Sequence, residues 1–248
     1  MSTNHIDVVL AHGAWADGSS WSKVIGRLKA EGINVVAAPL PLTSLADDVA
    51  ALDRVLERLD GPVVLVGHAY AGAVIAATRD PKVASLVYVA ALAPDEGETV
   101  GDVFYRGQPH PKAPKLEPDS HGLIWLPGNA FADAFAQNAS PEEQAILAAV
   151  QRPIAVPSIG VPVERPLWKD RPSWFMIAED DRMIAPDTQR FMAERMGAHA
   201  RTRPVDHTAL VTAPEDVVDI ILDAVRGVAP TGSRPLARPP HQATSETP

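Results

Sequence analysis

The chain has 248 residues, with 22 Lys and Arg against 31 Asp and Glu, for a formal net charge of −9. That length supports one large α/β domain with a full core, and the acidic balance argues against a nucleic-acid binder or a protein held by charge on an anionic membrane. Cysteine is absent, which removes disulfides, thiolate metal sites and a cysteine nucleophile together. The first seven residues carry no basic segment leading into an apolar stretch, and no apolar run is long enough to span a bilayer. The expectation is a soluble, cytoplasmic protein.

Residues 6–10 (IDVVL) predict a buried strand that ends at His12-Gly13. Residues 21–30 place Trp21, Val24, Ile25 and Leu28 at helical spacing, and Gly32 stops the helix. A second strand at 35–38 is closed by Pro39 and Pro41. Ser44 then caps a helix reaching residue 59, with Leu45, Val49, Leu52 and Leu56 along one face. A third strand at 63–66 leads to a small-residue helix at 71–78, and a fourth strand occupies 83–89.

Of the 24 prolines, twelve lie in 94–172 and five after Gly227. Proline interrupts helix interiors and sheet ladders. The first stretch therefore reads as an insertion laid over the sheet edge, with one clear helix at 141–150. The alternation resumes with a strand at 174–178, a helix at 186–196, a short strand at 200–204 and a helix at 214–225 opened by Pro214. Residues 227–248 lack apolar periodicity and predict a disordered tail. Strands alternating with crossover helices imply an α/β fold, a mostly parallel sheet flanked by helices.

The most informative segment is the strand, tight turn and helix around Gly67-His68-Ala69-Tyr70-Ala71-Gly72. This is the context of a nucleophile elbow, G-x-S-x-G, whose sharp turn lifts one side chain above the sheet beside a helix N-terminus. Ala71 stands where the last glycine belongs and keeps the position small, with Gly72 beyond. Ala69 stands where the serine belongs, and it removes the hydroxyl that would attack.

Four motifs in order resemble the α/β-hydrolases, in particular the small-cap group of plant methylesterases, hydroxynitrile lyases and bacterial esterases. They are His12-Gly13-Ala14-Trp15 after the first strand, the elbow, Asp181-Arg182-Met183-Ile184-Ala185-Pro186, and Asp206-His207. The resemblance covers nearly all of residues 5–226 and implies one hydrolase domain at 1–226, with a cap at about 94–172 and the tail at 227–248.

Acyl transfer needs a nucleophile, a base, a group that orients the base, and donors aimed at the oxyanion. His207 follows the last strand, and its place relative to the elbow favours a catalytic base over a surface-loop histidine. Asp181 lies 26 residues before it, in the order nucleophile, acid, histidine. Glu179 and Asp180 adjoin it as rivals, and Asp95 and Glu96 offer a weaker site for the acid. Asp181 is preferred because the resemblance places the acid just before a stretch such as Ile184-Ala185-Pro186.

For the oxyanion hole, the residue after the nucleophile position is Tyr70, and the resemblance points to Ala14 for the second amide. His12 reads as a buried hydrogen-bonding residue and His68 as pointing away from the pocket. No histidine pair has metal-ligand spacing, so no metal or cofactor is expected. Trp15, Phe104, Trp125, Leu126 and Phe131 are candidate substrate-binding residues, with Tyr70 beside them, against the alternative that they only glue cap to core.

The resulting expectation is a serine-type hydrolase of a small apolar or aromatic carboxylic ester or lactone. It is inactive as written because Ala69 occupies the nucleophile position, read as an engineered serine-to-alanine change in an otherwise intact set. Two alternatives share the scaffold: a cofactor-independent lyase or cyclase in which His207 moves protons, and a non-enzymatic ligand-binding member.

Overall fold

The computed structural model describes residues 6–228. From residue 229 onward the predicted tail lies outside the described residues. Six strands form one sheet: β1 (Asp7–Ala11), β2 (Asn34–Ala38), β3 (Val63–His68), β4 (Val83–Val89), β7 (Ser173–Ala178) and β8 (His199–Arg203). Their order is β2-β1-β3-β4-β7-β8, and every pairing is parallel. Among the described residues two further strands, β5 (Leu123–Ile124) and β6 (Ile154–Ala155), pair antiparallel outside it.

Burial explains the composition of the strands. Every residue of β1, β3 and β7 is buried, as a strand covered by helices on both faces requires. The edge strands β2 and β8 leave polar residues exposed, which discourages pairing with another chain. The flanking helices are α1 (Ser22–Ala30), α2 (Leu45–Leu56), α3 (Ala71–Ala77), α7 (Pro186–Arg195), α8 (Ala209–Thr212) and α9 (Pro214–Val228). Ser44 caps α2 through its side chain, which accepts from the Asp47 amide.

Three boundaries differ from expectation by two residues or more. Strand β3 continues through Gly67 and His68, because both pair with Tyr88 and Val89 of β4. Helix α2 ends at Leu56, three residues early. Helix α9 runs two residues into the stretch read as tail, and Gly227 lies so close to the Trp174 indole that a Cβ there would stand 2.6 Å from the ring.

The cap holds more regular structure than the one helix predicted. It contains α4 (Val100–Phe104), the β5–β6 pair, a π-helical turn at Phe131–Phe135, α5 (Pro141–Val150) and α6 (Val156–Ile159). A full capping box formed by Ser140 and Glu143 starts α5. The expectation that the insertion lies over the sheet edge is corrected. Val100, Ile124, Ile154 and Ile159 meet Ala69 and Tyr70 around one cavity, so the cap sits over the carboxyl end of central strand β3. Among the described residues, no helix is long and apolar enough to cross a membrane.

The elbow packs directly on the chain leaving β4. A Cβ on Gly72 would stand 2.3 Å from the Leu92 carbonyl oxygen and 3.0 Å from the Ala91 Cβ. Backbone would have to move, so Gly72→Ala is expected to cost about 1–3 kcal/mol by overpacking. Urea denaturation checks this. An unchanged midpoint would contradict the packing described.

Candidate active site

Strand β3 and helix α3 are separated by two residues, and the first of them, Ala69, has φ 50°. That left-handed conformation is unfavourable for a residue with a Cβ and persists only where its surroundings enforce it. Three main-chain hydrogen bonds do so. The Ala69 amide donates to Val89 O at 3.3 Å, while Ala69 O accepts from Leu92 N at 2.9 Å and Gly72 N at 3.1 Å. Gly67 must lack a side chain, since a Cβ would stand 2.8 Å from Ala71 O. Ala71 is fully buried with its methyl in place, so the departure from glycine there is tolerated.

His207 lies in the turn between β8 and α8 and is 2% exposed. Its Nδ1 lies 2.8 Å from Asp181 Oδ2. The carboxylate only accepts, so Nδ1 carries a proton, and in the neutral imidazole Nε2 then keeps its lone pair. Asp181 is held by four donors. Oδ1 accepts from the amides of Met183 at 2.7 Å and Ile184 at 2.9 Å, and Oδ2 accepts from Gln189 Nε2 at 2.8 Å as well as from His207. Gln189 Oε1 in turn accepts from the Ala178 amide at 2.9 Å, which fixes the orientation of its amide group.

The rival carboxylates are engaged elsewhere. Glu179 pairs with Arg190, Asp95 sits 2.5 Å from Lys169 Nζ, and Asp180 is exposed. Glu96 is also exposed. Asp206 is fully buried and accepts from the Asn138 amide at 2.9 Å and the Thr212 hydroxyl at 2.5 Å. Thr208 donates to Phe135 O, so both neighbours of His207 are tied down, one of them to the cap and the other to the cap and α8.

His68 is buried beneath this group, with its ring 4.8 Å from the His207 ring. Its Nε2 donates to the His207 carbonyl at 2.8 Å, and burial pushes its pKa well below the usual imidazole value. It points away from the pocket and is not among the residues lining the cavity. His12 is buried too, donating to Gly13 O at 3.0 Å and accepting from the Leu40 amide at 3.2 Å. Burial also lowers its pKa.

Ala14, Tyr70, Ala69 and His207 border one cavity of about 60 Å³, whose walls are otherwise almost wholly apolar. Neither the Ala14 nor the Tyr70 amide donates to a backbone acceptor among the described residues. The Tyr70 hydroxyl donates to Asp48 Oδ2 at 2.7 Å, and Asp48 Oδ1 accepts from the Leu42 amide at 2.6 Å. Sequence reading missed Asp48 and Gln189, since neither belongs to a motif. The only signal was a polar residue on the inward face of an amphipathic helix.

Asp48 is fully buried, and desolvation raises its pKa above the ordinary 3.8. A carboxyl whose folded pKa is raised favours the fold below its unfolded pKa and loses that contribution as pH rises through the folded value. The stability of the parent relative to Asp48→Asn is therefore expected to fall as pH rises from 3.8 through the raised folded value. Urea midpoints of both chains across that window check this. A difference that is flat, or that grows with pH, would contradict it.

Of the five proposed lining residues, Trp15 and Phe104 border the cavity. Trp15 also fastens the cap, donating from its indole to Ile124 O at 2.9 Å and from its amide to Arg152 O at 3.0 Å. The other three are corrected. Trp125 is 48% exposed and turns its indole toward Asp119, whereas Leu126 and Phe131 are buried within the cap and do not reach the cavity. Phe131 packs edge-on against Phe135 at 5.3 Å instead. Leu92, Val100, Ile124, Ile154, Met183 and Ile184 supply walls that were not foreseen. Among the described residues, no group of three His, Asp or Glu could hold a metal ion.

A parallel sheet, a strained elbow after its central strand and a His–Asp pair above it define a class. The alpha/beta hydrolase family matches residues 8–220, and the chain belongs to that family. It is similar to a pyrethroid hydrolase of Sphingobium wenxiniae, 27% identical over 247 residues that span 88% of this chain and 86% of that protein. Salicylic acid-binding protein 2 of Nicotiana tabacum is 24% identical over 247 residues, spanning 87% and 95%. Two solved structures share the fold. Polyneuridine aldehyde esterase matches with a TM-score of 0.73 and 19% identity over 90% of this chain and all (100%) of that one. A pyrethroid hydrolase matches at 0.77 and 23%, over 92% and 99%.

Proposed function

We propose that this site is built to hydrolyse a small apolar or aromatic carboxylic ester or lactone through an acyl-enzyme. The observation that carries the reading is the buried 2.8 Å contact between His207 Nδ1 and Asp181 Oδ2, beside an elbow strained at Ala69. The names of the relatives, a pyrethroid hydrolase and an esterase, support an ester as the substrate.

In this mechanism a serine hydroxyl at position 69 attacks the ester carbonyl while His207 Nε2 takes its proton. The amides of Ala14 and Tyr70 hold the oxyanion. His207 then gives the proton to the departing alkoxide, and a water repeats the sequence to release the acid. Asp181 holds the imidazole in the tautomer that presents a lone pair. With Ala69 in place, the chain binds ester but forms no acyl-enzyme. The test is Ala69→Ser followed by release of p-nitrophenol from p-nitrophenyl acetate. A serine variant that binds the ester yet stays inert across roughly pH 6 to 9, the range that brackets imidazole titration, would overturn the reading.

A further inference from the structure

The cavity beside Ala69 is not the whole of the space available to a ligand. A second chamber of about 520 Å³ lies between the loop that follows α4 and the loop carrying Asp181. It shares four walls with the inner cavity: Phe104, Tyr105, Leu116 and Met183. Met183 belongs to both the second chamber and the acid loop, since its amide donates to Asp181 Oδ1.

The chamber is open to solvent on one side, where Tyr105, Gln108, Pro109, His110, Pro111 and Lys115 are exposed, and its inner side is bounded by packed structure. Arg106 lies 3.6 Å over the centre of the Phe191 ring, anchoring the loop on α7. Gly107 approaches the same helix so closely that a Cβ would stand 2.9 Å from Thr188 Oγ1. Pro109, Pro111 and Pro114 restrict the backbone opposite.

The chemistry of the walls narrows the occupant. No carboxylate lines the chamber. Its lysine, Lys115, is already paired with Glu117 at 2.6 Å and is mostly exposed, and His110 Nδ1 accepts from the Lys112 amide at 3.1 Å. Neither offers a desolvated, unpaired charge that would reward an ionic ligand. Gln108 adds one neutral amide at the exposed rim, and the aromatic, methionine and proline surfaces suit a flat, neutral ring.

We infer that the second chamber is a binding subsite for the far end of an elongated neutral ester, with a small group at the reacting end in the inner cavity and an aryl ring between Met183 and the Pro109–Pro114 loop. This inference rests on the ester reading of the inner site and extends it to substrate shape.

The chain as it stands allows a direct test, because the proposed chemistry leaves a bound ester intact. Phenyl acetate and biphenyl-4-yl acetate share a reacting end and differ by one ring. Calorimetry is expected to show the biphenylyl ester binding about tenfold more tightly or better, from the added apolar burial less the cost of ordering the ligand. Ala113→Trp adds bulk at a residue that lines only the second chamber. It should remove that advantage and leave phenyl acetate unchanged. Equal affinity of the two esters for the parent, or an equal loss of both in Ala113→Trp, would overturn the subsite. The two proposals fail separately. If Ala69→Ser stays inert while the binding pattern holds, the hydrolase reading fails and the subsite stands. If the serine variant turns over both esters without preference, the reverse is true.

Discussion

Ala69→Ser is expected to raise kcat for p-nitrophenyl acetate on the order of 10⁶-fold over the parent chain, the size of loss seen when a serine hydrolase is stripped of its nucleophile. That factor corresponds to about 8 kcal/mol of barrier. So large an effect from one oxygen atom is plausible only if everything else is already in position. Ala69 borders the same cavity as His207, so the new hydroxyl is expected to reach the imidazole without a change in the main chain. The imidazole is already oriented by Asp181, and the elbow already has the strained conformation of a nucleophile turn. On the proposed mechanism the parent retains binding and oxyanion stabilisation, which in other serine hydrolases leave about 10³–10⁴-fold over water. Stopped-flow release of p-nitrophenol measures both chains. A gain below about tenfold would mean that His207 and position 69 are not aligned for proton transfer.

In the Ala69→Ser background, Asp181→Asn is expected to lower kcat by about 10⁴-fold while changing KM little. The reason lies in the four donors around this carboxylate. An asparagine has one acceptor oxygen for two positions that each face two donors. The amides of Met183 and Ile184 are fixed backbone, so the oxygen is drawn to them. The NH₂ group then faces Gln189 and His207. Gln189 cannot turn its own oxygen inward without giving up the Ala178 amide. His207 can adapt only by moving its proton to Nε2, the nitrogen that must accept from the nucleophile. Steady-state kinetics separate this from a binding defect. A kcat within tenfold of the Asp181 chain would show that this carboxylate does not set the tautomer.

How much of this was legible in the sequence follows from physical cause. The strands were readable because a parallel sheet covered on both faces leaves continuous apolar runs such as Val63-Val64-Leu65-Val66. The elbow was readable because Gly67 and Gly72 are forced by contacts of 2.8 and 2.3 Å to main-chain atoms, which exclude side chains outright. His207 was read from its place after the last strand, and Asp181 was preferred over its neighbours Glu179 and Asp180 only through the resemblance.

The cap was another matter. Its elements are two to ten residues long, too short for periodicity to separate faces. An apolar residue there can face the cavity, another cap residue or solvent with equal effect on local pattern. Phe104 reached the cavity, Phe131 packed on Phe135, and Trp125 remained at the surface. Asp48 and Gln189 were hidden for a related reason. Each acts by orienting a neighbour, so its meaning exists only once the neighbour's position is known.

The bend at residue 69 is held from outside that residue. Val89, Leu92 and Gly72 hold its backbone through main-chain hydrogen bonds. The capacity to present a nucleophile is thus written into the path of the chain and does not depend on which side chain occupies the position. A lineage could lose or regain the attacking group by a single codon change, with no intermediate that must refold. In evolutionary terms, on the proposed mechanism, the alanine form that holds an ester and the serine form that cleaves it are adjacent sequences on one scaffold, and selection can move between them in one step.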